Sequence, residues 1–324
     1  MRSMPRFGRR SAHAVVVILF VGMVSHLVLS ATLAELGRGF ARLTSGKAPR
    51  LVPQQAGMLA RGQRRSRHVQ GALSEADATK IDGTPDELFY LMPRIGIHHT
   101  DEGFRQQLTQ LFRILIRPDS DVLDLCSQHD SHLPSEIEYG SLTVHGMNLL
   151  ELMANQRATA RFTQNFNSDP TLGELADESM DAVLMTVSIQ YMQRPVELFR
   201  EVRRVLRPNG IVIVSFSNRM FFTKAVEAWR NQRSMRGLAD LVLGYLKEAG
   251  FTDVQAANGV RLPSKEEASD SGGFASFLPS FSGDPFVAAV GIRTDLAGSG
   301  KERFETAAAA GVSWLVTPGA GSIW

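Results

Sequence analysis

The chain has one cysteine, Cys126, in 324 residues, so no intrachain disulfide can form and no cross-link can stand in for a hydrophobic core. None is needed, because a chain of this length buries enough apolar surface to fold on its own. Acidic residues are nearly missing from the start: up to residue 70 there are 12 Lys and Arg and a single acid, Glu35. The remainder then carries 23 basic against 32 acidic residues, a net of −9 hidden behind the overall +2. That balance gives no footprint for nucleic acid, which needs a basic surface. No Gly-x-Gly-x-x-Gly fingerprint is present, which argues against a nicotinamide-dependent oxidoreductase. There is no internal repeat. Long apolar runs are also absent except for one, Ala14 to Leu29, broken only by Gly22, Ser25 and His26.

That run and its surroundings read as targeting information. Arg2, Arg6, Arg9 and Arg10 precede it, and the small residues Ser30 and Ala31 follow near a potential cleavage point, which is a signal-peptide layout. Residues 32 to 70 are rich in Arg, Ala, Gly and Ser, as in a transit peptide. Together they resemble the two-part leader of proteins imported into algal plastids of secondary origin. The expectation is plastid delivery, with an uncleaved membrane anchor in the secretory pathway as the alternative. Three regions follow: residues 1–75 as leader, 76–293 as the folded domain and 294–324 as a flexible tail rich in alanine and small residues.

Within the domain, residues 181 to 218 carry the clearest pattern. Asp181 opens an apolar run. Val196, Leu198, Phe199, Val202, Val205 and Leu206 then repeat with a helical period. Arg207-Pro-Asn-Gly stops the helix, since proline cannot continue it and asparagine or glycine supplies a left-handed turn. Ile211 to Phe216 reads as a strand buried on both faces of a parallel sheet. Upstream, the spacing predicts a helix over 102–116 and strands at 121–125, 142–146 and 160–164. Downstream it predicts helices over 220–232 and 237–249, strands at 254–257 and 285–293, and a Ser- and Gly-rich loop or lid over 263–283.

The run from Asp181 through Tyr191 to Gly210 resembles the class I S-adenosylmethionine-dependent methyltransferases of the type 11 group. The stretches beginning Val122-Leu-Asp-Leu-Cys-Ser, Ser131-His-Leu-Pro, His145-Gly-Met-Asn and Ser215-Phe-Ser-Asn-Arg-Met-Phe are similar to an uncharacterised plant and algal branch of plastid-associated methyltransferase-like proteins. The resemblance spans roughly residues 85 to 293. It implies an α/β, Rossmann-like sheet of seven strands, mostly parallel with an antiparallel last strand, and helices on both faces. It implies S-adenosyl-L-methionine as cofactor and a small-molecule acceptor.

The resemblance also assigns a site. Asp124 matches the family acid of strand one. The glycine-rich turn that normally follows it is replaced by Cys126-Ser-Gln-His-Asp-Ser, which contains no glycine, so Cys126 and Ser127 fill that role with small side chains. Met147 and Asn148 follow strand two, where an acid usually accepts the ribose hydroxyls. Asn165 and Phe166 follow strand three, where an acid usually receives the adenine amino group. Ser188 follows strand four. Two amides in place of acids predict weaker cofactor contacts, which opens a second reading of the chain as a catalytically silent binding or scaffold protein. For acid–base work the candidates are His99, Tyr191 and His129. His99 and Asp101 either face the substrate or belong to a surface loop, where Thr100 or Asp101 caps the helix that follows, and Arg219 either holds an anionic substrate group or makes an ordinary salt bridge. Cys126, His129 and His132, with Asp130 near them, lack zinc-finger spacing, so no metal is expected from the sequence.

Overall fold

The computed structural model describes residues 73–263, 283–294 and 298–315. The leader up to residue 72 and almost all of the 263–283 loop lie outside the described residues, which all belong to one compact unit, Ser66–Trp324. Among the described residues no helix is long and apolar enough to cross a membrane.

Helix α1 spans Asp86–Phe89 and α2 spans Glu102–Leu115. The α2 start is capped by Asp101, whose carboxylate accepts from the Phe104 N–H at 2.8 Å. Phe104, Leu108, Leu111, Phe112 and Leu115 then form its buried stripe. Strand β1 (Asp121–Leu125), β2 (Ser141–Gly146), α3 (Leu149–Ala154), β3 (Ala160–Thr163) and β4 (Met180–Thr186) follow. Helix α4 runs Pro195–Val205, β5 Leu206–Phe216, α5 Glu227–Arg230, α6 Met235–Glu248, β6 Asp253–Val260, β7 Val287–Ile292, α7 Lys301–Ala309 and β8 Val312–Trp314.

The strands form one sheet in the order β3-β2-β1-β4-β5-β7-β6-β8. Strands β3, β2, β1, β4 and β5 are mutually parallel, β7 is antiparallel to both β5 and β6, and β8 is antiparallel to β6. Along β4 the side chains alternate between the two faces: Val183 and Met185 join one core, Ala182 and Leu184 the other. The first core is closed by α4 and α6 through Phe199, Val202, Leu238, Tyr245 and Leu246, the second by α2 and α7 through Phe104, Leu108, Phe112 and Phe304. Burying each such Leu, Val or Phe side chain contributes about 1.5–3 kcal/mol. The expected α/β sheet with helices on both faces is therefore present.

Several details differ from the sequence expectation. The sheet has eight strands, two of them antiparallel to the parallel set. Residues 301–314, expected as a mobile tail, instead form α7 and β8. Phe304, Ala307 and Val312 are buried, and the Trp314 indole donates to the Phe304 carbonyl at 3.1 Å. The alanine run that looked featureless is the small-residue part of a packed helix. The helix expected over 220–232 is reduced to the single turn of α5; ahead of it the chain turns, and buried Lys224 donates to the Thr84 carbonyl. Helix α4 ends at Val205, and Arg207-Pro-Asn-Gly, expected as a turn ahead of the strand, lies within β5 where its pairing with β4 shifts register between Met180 and Ala182; its left-handed residue is Asn209 (φ 63).

A candidate cofactor cavity at the carboxyl edge of the sheet

Strand order reverses between β1 and β4: the chain steps outward from β1 to β2 and β3 on one side, and from β4 to β5 on the other. The loops leaving β1 and β4 therefore part and leave a crevice beyond the carboxyl ends of the strands, where ligands of such sheets bind. A cavity of about 310 Å³ occupies this place. All eight residues expected at the cofactor site line it: Asp124, Cys126, Ser127, Met147, Asn148, Asn165, Phe166 and Ser188. His99 and Tyr191 also line it, whereas His129 is not among its lining residues.

The floor is the turn after β1. Asp124 is 3% exposed, and burial pushes its carboxyl up to about 6 against the opposing pull of the Ser127 and Ser131 hydroxyls. The Ser127 Oγ is close enough to moderate Asp124 but is buried with no partner at hydrogen-bonding geometry among the described residues. Cys126 adopts φ 56, the left-handed region that favours glycine, so its small side chain stands where the backbone requires a tight turn. The turn is held by His145 on β2. Cys126 N–H donates to His145 Nδ1 at 3.1 Å, Ser127 N–H donates to the His145 carbonyl at 2.7 Å, and His145 Nε2 donates to the Gln164 carbonyl at 2.9 Å. This pattern needs a neutral imidazole with its proton on Nε2. Burial, lowering the imidazole to about 4, keeps it so. The ring also stacks on Phe166 with centroids 4.0 Å apart. His145 thus stitches β1, β2 and the loop after β3 into one rigid floor. The Cys126 thiol, pushed up to about 12 by burial, stays protonated and is no nucleophile.

The roof is the segment from α1 to Thr100, and the two amides fasten it. Asn148 Nδ2 donates to the carbonyls of Tyr90 (3.0 Å) and Leu91 (2.9 Å), while its Oδ1 caps α3 by accepting from Leu150 and Glu151 N–H. Asn165 Nδ2 donates to Glu87 Oε1 at 2.7 Å, and its Oδ1 accepts from Asn167 N–H. An aspartate at either position would set oxygen against oxygen, so the roof explains why amides stand where acids are usual. The consequence is that the Asn148 carbonyl oxygen, expected to take a ribose hydroxyl, already accepts two bonds. Arg94 completes the roof. Its N–H donates to Glu151 Oε1 at 2.5 Å, and its guanidinium lies over the rings of Phe89, Tyr90 and Phe221 at 5.0–5.3 Å.

The remaining candidates fall as follows. The Tyr191 hydroxyl accepts from Phe221 N–H at 2.9 Å, and burial raises its pKa, so it pins the loop after β5 and is poorly suited to act as a base. His99 is half-buried, with Nε2 3.2 Å from Gln128 Nε2. Burial and Arg94 lower its pKa below 6.5, so it is neutral at pH 7. The Ser188 hydroxyl donates to the Thr186 carbonyl at 2.9 Å. Asp101 is a helix cap, and Arg219 pairs with Asp284 at 2.6 Å. Sequence reasoning missed Glu151. This side chain is 6% exposed, lines the cavity, and has one carboxylate oxygen without a partner among the described residues. Its signal was an acid three residues beyond Asn148, in the first turn of α3, on the same side of the helix start.

Residues 130–214 match the methyltransferase-domain family. No curated protein matches the chain. Among solved structures, an S-adenosylmethionine-dependent methyltransferase of Thermotoga maritima is similar at 18% identity, covering 59% of this chain and 90% of its own, with a TM-score of 0.38. A second, from Mesorhizobium loti, is similar at 13% identity over 56% and 95%, with a TM-score of 0.37. A phosphoethanolamine N-methyltransferase of Haemonchus contortus in complex with S-adenosyl-L-methionine is similar at 14% identity over 60% and 54%, with a TM-score of 0.40. Likeness at this level adds nothing to the strand order and cavity described above.

Proposed function

We propose that this chain is a class I S-adenosylmethionine-dependent methyltransferase acting on a small-molecule acceptor. The observation that carries the reading is the cavity at the β1/β4 reversal with Asp124 at its floor; the family match over residues 130–214 supports it. The cofactor is S-adenosylmethionine. The cavity has the size of a small-molecule site, and two of its polar groups, Ser127 Oγ and one Glu151 oxygen, have no hydrogen-bond partner among the described residues. Ser127, Glu151 and Asn165 are the residues proposed to take the polar groups of the cofactor. Glu151 supplies the carboxylate that Asn148 does not. Cys126, Met147 and Phe166 give apolar surface. When bound, the cofactor supplies a methyl group already activated on a sulfonium. The chain has then to hold the acceptor in line and exclude water, which the roof from α1 to Thr100 does. His99, neutral at pH 7, is the group proposed to take a proton from an acceptor that must lose one. The acidic balance after residue 70 favours a small molecule over a nucleic acid.

Methyl transfer from labelled S-adenosylmethionine to small-molecule fractions of a plastid extract tests the reading. Labelled product that disappears with Asp124→Ala supports it, and cofactor binding without transfer to any fraction contradicts it. A second reading, a silent methyltransferase-like scaffold, is favoured by one observation: Asn148 and Asn165 are both committed to the roof. Submillimolar cofactor binding with turnover would sink it. Membership of the plastid-associated plant and algal branch and delivery by residues 1–75 belong to the proposal on motif and composition alone, and import of a fluorescent fusion tests the delivery.

A further inference from the structure

We propose that His98, Asp130 and His132 form a binding site for one divalent transition-metal ion of the Zn²⁺ type at the mouth of the cavity. The residues come from two separate segments, His98 from the roof and the other two from the turn after β1, and their ligand atoms all lie within 4.8 Å of one another. Zinc ligands at roughly 2.1 Å from the ion stand about 3.4 Å apart in a tetrahedron. His132 Nδ1 and Asp130 Oδ2 are already 3.0 Å apart. His98 is exposed, so its ring can close the remaining distance, roughly 1–1.5 Å, by side-chain rotation.

The backbone holds the other two ligands in place. His132 sits at φ 55, in the left-handed region that L-residues rarely adopt. Its N–H donates to Asp130 Oδ1 at 2.8 Å, and its carbonyl accepts from Thr109 Oγ1 at 2.9 Å, so the turn is anchored to α2. The His98 ring lies 5.2 Å from that of His129 and 5.9 Å from that of His132, which gathers three imidazoles in one place. His129 Nδ1 beside them is buried with no hydrogen-bond partner among the described residues. Two histidines and one carboxylate leave coordination positions open, and all three residues line the cavity. The glycine-free turn then has a physical reason: it carries ligands where a turn that only cradles a cofactor needs no side chains.

The test is titration of the full chain, without an affinity tag, with Zn²⁺ by calorimetry and with Co²⁺ by visible absorption. One equivalent should bind, and Co²⁺ should develop the d–d bands of nitrogen and oxygen ligands. His98→Ala, an exposed residue whose loss leaves the fold intact by circular dichroism, should weaken binding more than about 100-fold, since even outer-shell partners are worth 10- to 100-fold. Asp130→Asn and His132→Ala should do the same. The triple variant His13→Ala, His26→Ala, His68→Ala should bind as the parent does. Substoichiometric binding, an affinity unchanged by His98→Ala in a folded protein, or loss of binding in the triple variant would each overturn the proposal. None of these readouts depends on methyl transfer.

Discussion

Replacing Asp124 by asparagine should stabilise the protein above neutral pH. The carboxyl is 3% exposed, and burial raises it from the usual 3.8 to about 6. A carboxyl whose folded value lies above its unfolded one holds its proton more tightly in the native state. Its ionisation therefore costs nothing below about pH 3.8, an increasing amount as pH rises toward 6, and its full amount above that. At about 1.36 kcal/mol per pH unit, the full cost is about 3 kcal/mol. Asparagine keeps the shape and cannot ionise. Above about pH 7 the Asp124→Asn variant should be more stable than the parent by up to about 3 kcal/mol, and the difference should shrink as pH falls and vanish near pH 4. The comparison has to be made as a difference between the two proteins, because His145 acts in the opposite sense. Its pKa lies below the unfolded value, so its contribution is full above about pH 6.5 and is lost as pH falls through about 4. Urea denaturation of both proteins across this range, at equal m-values, measures the difference. A difference independent of pH, or a variant less stable than the parent at pH 8, would refute the reasoning.

Three further outcomes follow from the same geometry. Glu151→Gln keeps an acceptor for Arg94 N–H but removes the charge, and should weaken S-adenosylmethionine binding about 10- to 100-fold without unfolding the chain; unchanged affinity by calorimetry removes Glu151 from the site. Asn148→Asp keeps the helix cap but faces the Tyr90 and Leu91 carbonyls with a carboxylate, so it should lower stability by about 1–3 kcal/mol and expose the 90–96 segment to protease; equal protease resistance contradicts the role given to the amide. His145→Gln can keep both hydrogen bonds without titrating, so between about pH 6.5 and pH 4 its stability should fall less steeply than that of the parent, by up to about 3 kcal/mol over the range; parallel curves would show that His145 is not buried neutral.

The parallel half of the sheet was legible because its signals are local. Continuous apolar strands, the period of α4 and the Arg207-Pro-Asn-Gly stop each lie within a dozen residues and agree with one another. The lining of the cavity was legible for the same reason, since each candidate follows a strand end. What the sequence hid depends on contacts across long separations. Asn148 and Asn165 read as weakened acids because their partners, Tyr90, Leu91 and Glu87, are 57 to 78 residues away. Once those partners are in view, the amide is required by the donors it must supply. His98 joins Asp130 and His132 only through the roof, so spacing within the turn after β1 could not reveal the cluster. Residues 301–314 looked mobile because small residues carry little periodic signal, and it takes the edge of β6 to give β8 something to pair with.

The central claim, a cofactor site at the β1/β4 reversal, is tested most directly by calorimetric titration of the full chain with S-adenosylmethionine and S-adenosylhomocysteine, with Asp124→Ala as control. Binding of one equivalent of each, lost in the folded control, is the predicted result. A well-folded parent that binds neither, or a control that binds as the parent does, would contradict it.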